Sequence, residues 1–262
     1  TGKRALHWTV VAVGQGSGGR VIEYGRQPVL SDKLGVKRAL AEALVELSQY
    51  FANGWGKRTG ETLKPSQVWI DSGYHEHTDA VYEFCAAINK HMGLQIGAEV
   101  YRPSKGYGEG QRLTTRYLSP TTKQKGILHI GNEFHIAKVK RNGQTVPGVM
   151  LVHMNSDHWK SELHQRLLMP AGEPLAVTLY QAASFSEHSE FAKHLTAEKQ
   201  VEKFMPGRGT VIVWERIDRK NHWLDSTYSA ICAGEAVISM QIKKQKARQP
   251  LSLREMAGQR NG

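Results

Sequence analysis

Gln67-Val-Trp-Ile-Asp71, with Ser72-Gly73 behind it, is the stretch on which the fold turns. Val68, Trp69 and Ile70 are the residue types that suit a buried strand, and the run ends in a carboxylate. Ser72-Gly73 breaks it. The spacing then predicts a helix over 78–92, with Thr78 as its cap and Val81, Phe84, Cys85, Ile88 and Met92 on one face. Gly93 closes that helix. A strand, a break and a helix in succession form the repeating unit of an α/β protein.

The same pattern extends in both directions. Towards the N-terminus, Ala5–Gly14 reads as a strand, and Arg20–Tyr24 as its antiparallel partner across a Gly-rich link. Residues 34–51 repeat Val36, Leu40, Leu44, Leu47 and Phe51 at helical spacing, with Ser31-Asp32 as cap and Asn53-Gly54 as stop. Beyond the central unit, Leu94–Tyr101 reads as a further strand. Residues 102–126 change character, with six Lys and Arg against Glu109 alone, and read as a basic loop. Strand-like runs at 135–139 and 149–153 follow, then a helix over Ser156–Leu168 capped by Ser156 or Asp157. Residues 175–205 are mixed. Val211–Trp214 is a late strand, Asn221–Met240 a long helix, and the remainder, 241–262, a basic C-terminal tail.

Composition limits the classes of function. The 262 residues suffice for one sizeable core, and 40% hydrophobic content excludes wholesale disorder. No apolar run approaches the ~20 residues of a membrane helix, and residues 1–4 do not begin a signal-peptide core. A cytosolic protein is expected. Cys85 and Cys232 both fall in helix-like apolar stretches and read as buried free thiols. The net charge of +11 favours a polyanionic partner.

Two carboxylates carry the chemistry. Asp71 ends an apolar strand. Asp225 lies early in the last long helix, three residues after His222 and so on the same helix face. Hard Mg²⁺ or Mn²⁺ ions take oxygen ligands of this kind. Two such ions activate water and stabilise the leaving oxygen of a phosphodiester. Each residue also has a plainer role: an Asp before Gly forms turns, and an Asp early in a helix complements its dipole. Asp157 is a weaker metal candidate whose role as a helix cap competes. Lys105, Arg112, Arg116, Lys123 and Lys125 of the basic loop, and Lys160 on the 156–168 helix, are candidates for DNA phosphates.

Val68-Trp-Ile-Asp-Ser-Gly73, Thr78-Asp-Ala-Val-Tyr-Glu-Phe-Cys85 and Asn221-His-Trp-Leu-Asp-Ser-Thr-Tyr-Ser-Ala230 resemble the nuclease half of phage terminase large subunits, most closely the lambda-like type. Val149-Met-Leu-Val-His-Met-Asn-Ser-Asp-His-Trp-Lys-Ser-Glu-Leu163, with Arg166-Leu167, is similar to a stretch of the same group. The order and spacing of these motifs over residues 5–240 carry the resemblance.

The resemblance implies an RNase H-like α/β fold over 1–240, with a mixed central sheet flanked by helices. It implies a nuclease that uses three acidic residues and two divalent ions, Mg or Mn, to cut concatemeric double-stranded viral DNA in the host cytoplasm. Asp71 matches the second acidic position and Asp225 the third. His222 stands where some members place an accessory histidine near the metals. The implied partners are double-stranded DNA, the terminase ATPase domain, the small terminase subunit and the portal, with no membrane. The family's first acidic residue lies on a strand just before the segment equivalent to Lys3–Val13. No Asp or Glu precedes Glu23 here, so that strand is expected to be missing. The ATPase G-x-x-x-x-G-K-[ST] loop is absent too. Two other readings compete: a non-catalytic RNase H-like DNA-binding module, which the missing carboxylate favours, and another RNase H-like nuclease such as a resolvase or transposase.

Overall fold

A computed structural model of the chain describes residues 4–248, apart from 15, 17, 31–32, 34, 111–115, 122–124, 142–143 and 185. Its first elements are the antiparallel strands β1 (Ala5–Val13) and β2 (Gly19–Pro28). Helix α1 (Val36–Asn53) buries Leu40, Leu44, Leu47 and Phe51, as the periodicity requires. Its N-cap is Gly35, without a side-chain cap, and the expected cap, Ser31-Asp32, lies outside the described residues. The minor strands β3 (Trp55–Gly56) and β4 (Thr62–Leu63) form a short ribbon.

The central unit follows, with β5 (Val68–Asp71) and, after a 3-10 turn at His75–His77, α2 (Thr78–His91). Strand β6 is Tyr101–Tyr107, which corrects two expectations. Leu94–Val100 lies outside the strand, and the basic loop does not begin at 102. Pro103, Gly106 and Gly108 punctuate this stretch in sequence and hide the strand. At Pro103, β6 pairs with β5 alone, and β9 joins from Ser104 onward. The proline therefore sits where one side of the strand is still an edge, the place a residue without an N–H is tolerated.

Strands β7 (Ile127–Gly131), β8 (Phe134–Arg141) and β9 (Gln144–Asn155) complete a five-stranded mixed sheet, in the order β5-β6-β9-β8-β7. Helix α3 (Ser156–Leu168) follows β9 directly. Strand β10 (Val177–Leu179) pairs in parallel with β2, giving a second sheet, β1-β2-β10. Helix α4 (Ser189–Leu195) leads to a ribbon of β11 (Glu198–Met205) and β12 (Gly209–Arg216). Helix α5 (His222–Arg248) continues through 241–248, which was read as tail. The architecture is mixed α/β. No helix among the described residues is long and apolar enough to cross a membrane. Cys85 and Cys232 are buried free thiols, as expected.

The two sheets share two cores. On one side, Leu6 of β1 packs with Leu40, Leu44 and Phe51 of α1, Ile70 of β5 and Val81 of α2. On the other, Leu224, Tyr228, Ile231 and Cys232 of α5 pack with Val21 of β2, Met154 of β9 and Trp159 of α3. Among the described residues the two sheets do not pair with each other. Each ends in an edge, β1 in one and β5 in the other, and a cleft lies between.

Arg102, read as part of a basic loop, is 1% exposed. Its guanidinium donates to Glu99 Oε2 at 3.0 Å and to the Gln67 side chain. Removing one partner of a buried pair strands the other charge. Glu99→Gln is predicted to cost about 3 kcal/mol, measured as a lower urea midpoint with unchanged slope. Adding Arg102→Met is predicted to recover part of that loss.

Candidate active site

Asp71 reaches the site because β5 ends there. Its Oδ1 accepts the Gly73 N–H at 2.9 Å, and the Ser72 N–H donates to the Ser104 carbonyl at 2.9 Å. The turn-forming role and the functional one thus belong to the same side chain. Asp225 comes from the first turns of α5, whose buried Leu224 and Tyr228 fix the rotation of the helix. Tyr228 can pack this close to β6 only because of Gly106, where an added Cβ would lie 2.9 Å from the tyrosine hydroxyl.

Asp71 and Asp225 both line the cleft, which encloses about 1210 Å³. The lining runs through the consecutive residues Ala5–Gly14 of β1 and Leu63–Asp71 at β5. Alternate side chains of a strand point to opposite faces, so an unbroken run of lining residues means that the cleft is walled by strand edges.

A buried network holds Asp225. Asn221 Nδ2 donates to Asp225 Oδ2 at 3.1 Å and to Glu198 Oε1 at 2.6 Å. Lys160 Nζ donates to Glu198 Oε2 at 2.7 Å and stands 3.8 Å from Asp225 Oδ1. Burial is the main force on the Asp225 carboxyl, raising its pKa to about 6. Lys160 opposes the rise, while Glu198 and Asp71 add to it. Asp71 is therefore close enough for the two carboxylates to repel each other.

The other expected residues are placed differently. Lys160 is 8% exposed and ion-paired, so it belongs to the floor of the cleft and not to a solvated basic rim. Lys105 alternates with Gly106, which faces Tyr228, and so points to the opposite side of the sheet, beside His153. Arg116 is half-buried and Lys125 exposed, and neither lines the cleft. Arg112 and Lys123 lie outside the described residues. Asp157 is not the helix cap. Asn155 is, accepting the His158 N–H at 3.2 Å. The Asp157 carboxylate is buried away from the cleft lining and accepts the Glu109 N–H at 2.8 Å, which argues against its weak candidacy as a metal ligand. His222 lines the cleft, but its ring stacks on His7 at 4.6 Å, and no hydrogen bond joins it to Asp71 or Asp225 among the described residues.

Sequence reading missed Glu198 and Asn221. Asn221 lies inside a quoted motif, four residues before Asp225, so helical spacing could have marked it. Glu198 lies in the stretch read as mixed, and its partner Lys160 is 38 residues away in sequence, so no local signal marks it.

The profile of the family described as terminase large subunit gpA, endonuclease domain, matches residues 3–246. The chain belongs to this family. It is also similar to the terminase large subunit of Escherichia phage lambda, 29% identical over 215 residues, covering 74% of this chain. The match takes in 31% of that relative, so the chain spans about a third of its length. Comparison with solved structures gives no match.

The donor chemistry of Asp71 and Asp225 suits a hard divalent cation: carboxylate oxygens only, in a water-accessible cleft, with mutual repulsion that a cation would relieve. The described residues hold no group of three His, Cys, Asp or Glu side chains able to cage an ion. The pair fits an ion that keeps several of its waters, and not a closed protein cage.

The Asp225 environment sets a sign. Its folded pKa, about 6, lies above the ordinary 3.8, so the folded state holds a proton that the unfolded chain releases between those values. Ionised Asp225 therefore costs stability above pH 6, and the cost fades as pH falls towards 4. Asp225→Asn is predicted to stabilise the chain at pH 8 by on the order of 1 kcal/mol, discounted for the 44% exposure of the side chain. The gain should vanish towards pH 4. Urea unfolding of both proteins across this range measures it, and a loss of stability at pH 8 contradicts the environment described.

Proposed function

We propose that this chain hydrolyses the backbone of double-stranded DNA, as the metal-dependent endonuclease domain of a phage DNA-packaging motor. The observation that carries the reading is the convergence of Asp71 and Asp225, from two different elements, in one open cleft of a basic chain of the terminase family. Concatemeric viral DNA is the proposed substrate. The terminase ATPase domain, the small subunit and the portal are the proposed partners, in the host cytoplasm. The arrangement is read as RNase H-like, with β5, β6 and β9 as its parallel strands.

Asp71 and Asp225 are the residues that would hold Mg or Mn. When bound, such an ion lowers the pKa of water and offsets the phosphate charge. Asn221 keeps Oδ2 of Asp225 fixed, and Oδ1 lies towards Lys160. Glu198 holds Lys160 beside it, which brings a cation to where a scissile phosphate would lie. The bare edges of β1 and β5 leave the cleft open to one further extended segment. A carboxylate carried on such a segment would supply the third acid that the resemblance implies. The incomplete ligand set is what favours the second reading, a DNA-binding module without catalysis.

Plasmid nicking with Mn²⁺ separates the two. The comparison takes in this chain, a version extended N-terminally by an acidic strand, and Asp71→Ala and Asp225→Ala in the extended background. The extended protein is predicted to nick, and each substitution to lower the rate by at least about 100-fold. An extended protein that binds DNA and never cuts with any metal leaves only the binding role. In parallel, Mn²⁺ at a hundred times its Kd is predicted to add about 2.7 kcal/mol of stability, and Asp71→Asn to abolish that gain.

A further inference from the structure

The entrance of the cleft beside Asp225 carries a cluster of two arginines and three imidazoles that the catalytic reading does not use. His7 on β1 and Arg26 on β2 are direct partners in the antiparallel register, so they lie side by side on one face of the hairpin. That face is turned towards α5, because Thr9, two residues along from His7, bonds the Ser226 hydroxyl at 2.7 Å. The His222 ring, in the first turn of α5, stacks on His7 at 4.6 Å. His194 of α4 stands 5.6 Å from His7 and 6.0 Å from His222, between ring centroids. Arg216, at the end of β12, joins the cluster from the other side and lines the cleft with His7, His222 and Asp225. Arg26, Arg216 and His222 are exposed, and His7 is half-buried.

The arginines supply the positive charge, and the imidazoles supply uncharged N–H donors. The ionisable side chains that act on His7 are His222, His194 and Arg26, and those that act on His222 are Arg216 and Arg26. Together with burial, which is the larger cause, they hold both imidazoles below their ordinary pKa, His7 down to about 3. Among the described residues no carboxylate forms an ion pair with Arg26 or Arg216. Two arginines brought beside the His7–His222 stack from two different strands suit an anion, while the acids of this corner, Glu190 and Asp218, act on His194. The positive end of α5 points the same way.

We infer that His7, Arg26, Arg216 and His222 seat a backbone phosphate of the DNA strand at the entrance of the cleft, beside the Asp71–Asp225 pair. This rests on the proposed DNA substrate and adds to it the side of the cleft on which the strand lies. The contact is to phosphate, so it positions the duplex and carries no base sequence.

The test is binding of a fluorescent 20-base-pair duplex to the full chain in EDTA, across a range of KCl concentrations. Each phosphate contact contributes about 0.9 to the slope of log affinity against log salt. The double variant Arg26→Gln, Arg216→Gln is expected to lower the slope by about 0.9 and weaken binding on the order of tenfold at low salt. Arg38→Gln, which removes a charge already paired with Glu42 on α1, is expected to leave both unchanged. An unchanged slope in the double variant, with wild-type binding intact, overturns the phosphate seat and leaves the nuclease reading standing. An equal loss in Arg38→Gln also overturns it, by assigning the effect to net charge. A wild-type chain that binds no duplex at any salt overturns both.

Discussion

Helix α5 is the constraint on which the site depends. Among the described residues the two sheets share no strand pairing, so the relative placement of β1 and β5 is set by what packs across both. On one side that is α5: Thr9 meets Ser226 and Thr227, Val13 lies against Gly234, and Tyr228 presses on Gly106 of β6. A helix buried on so many sides has little freedom to rotate. Asp225 inherits that rigidity, which is why a single early-helix carboxylate can be aimed at a strand end in the other half of the molecule.

Rigidity at the site has an energetic counterpart. Glu198, Lys160, Asn221 and Asp225 form a chain of charge-assisted hydrogen bonds in poorly solvated surroundings, where each member needs its neighbours. Glu198 is the joint, accepting from Lys160 of α3 and Asn221 before α5. Asp225 gains less than it loses to burial, as its raised pKa records. Sites that work on charged substrates commonly keep such unrelieved groups, at some cost to the stability of the fold.

Much of this was legible in the sequence, for identifiable reasons. β1, β5, α1, α2 and α3 carry clear periodicities, and Asp71 and Asp225 stand at positions where strand and helix rules point to them. β6 was hidden because Pro103 and Gly106 are ordinarily turn residues, and only the late arrival of β9 makes the proline acceptable. Glu198 was hidden because its meaning is tertiary: it has a role only once α3 and β11 meet. Arg26 was legible in principle, since an antiparallel register places it opposite His7. Lys160 reads in sequence as a contact to DNA phosphate because a lysine on a helix usually reaches outward, and its ion pair with Glu198 turns it in.

The bare edges of β1 and β5 have a consequence for the life of the chain in solution. An unpaired strand edge is a template for any other extended chain, and this fold exposes two of them facing one another. Natural sheets blunt such edges with charge, and the cleft walls here mix apolar residues such as Val10 and Val11 with the charged Lys64, Asp71 and Arg216. The cleft is thus also a surface open to self-association. A segment that fills the cleft also protects the chain from self-association.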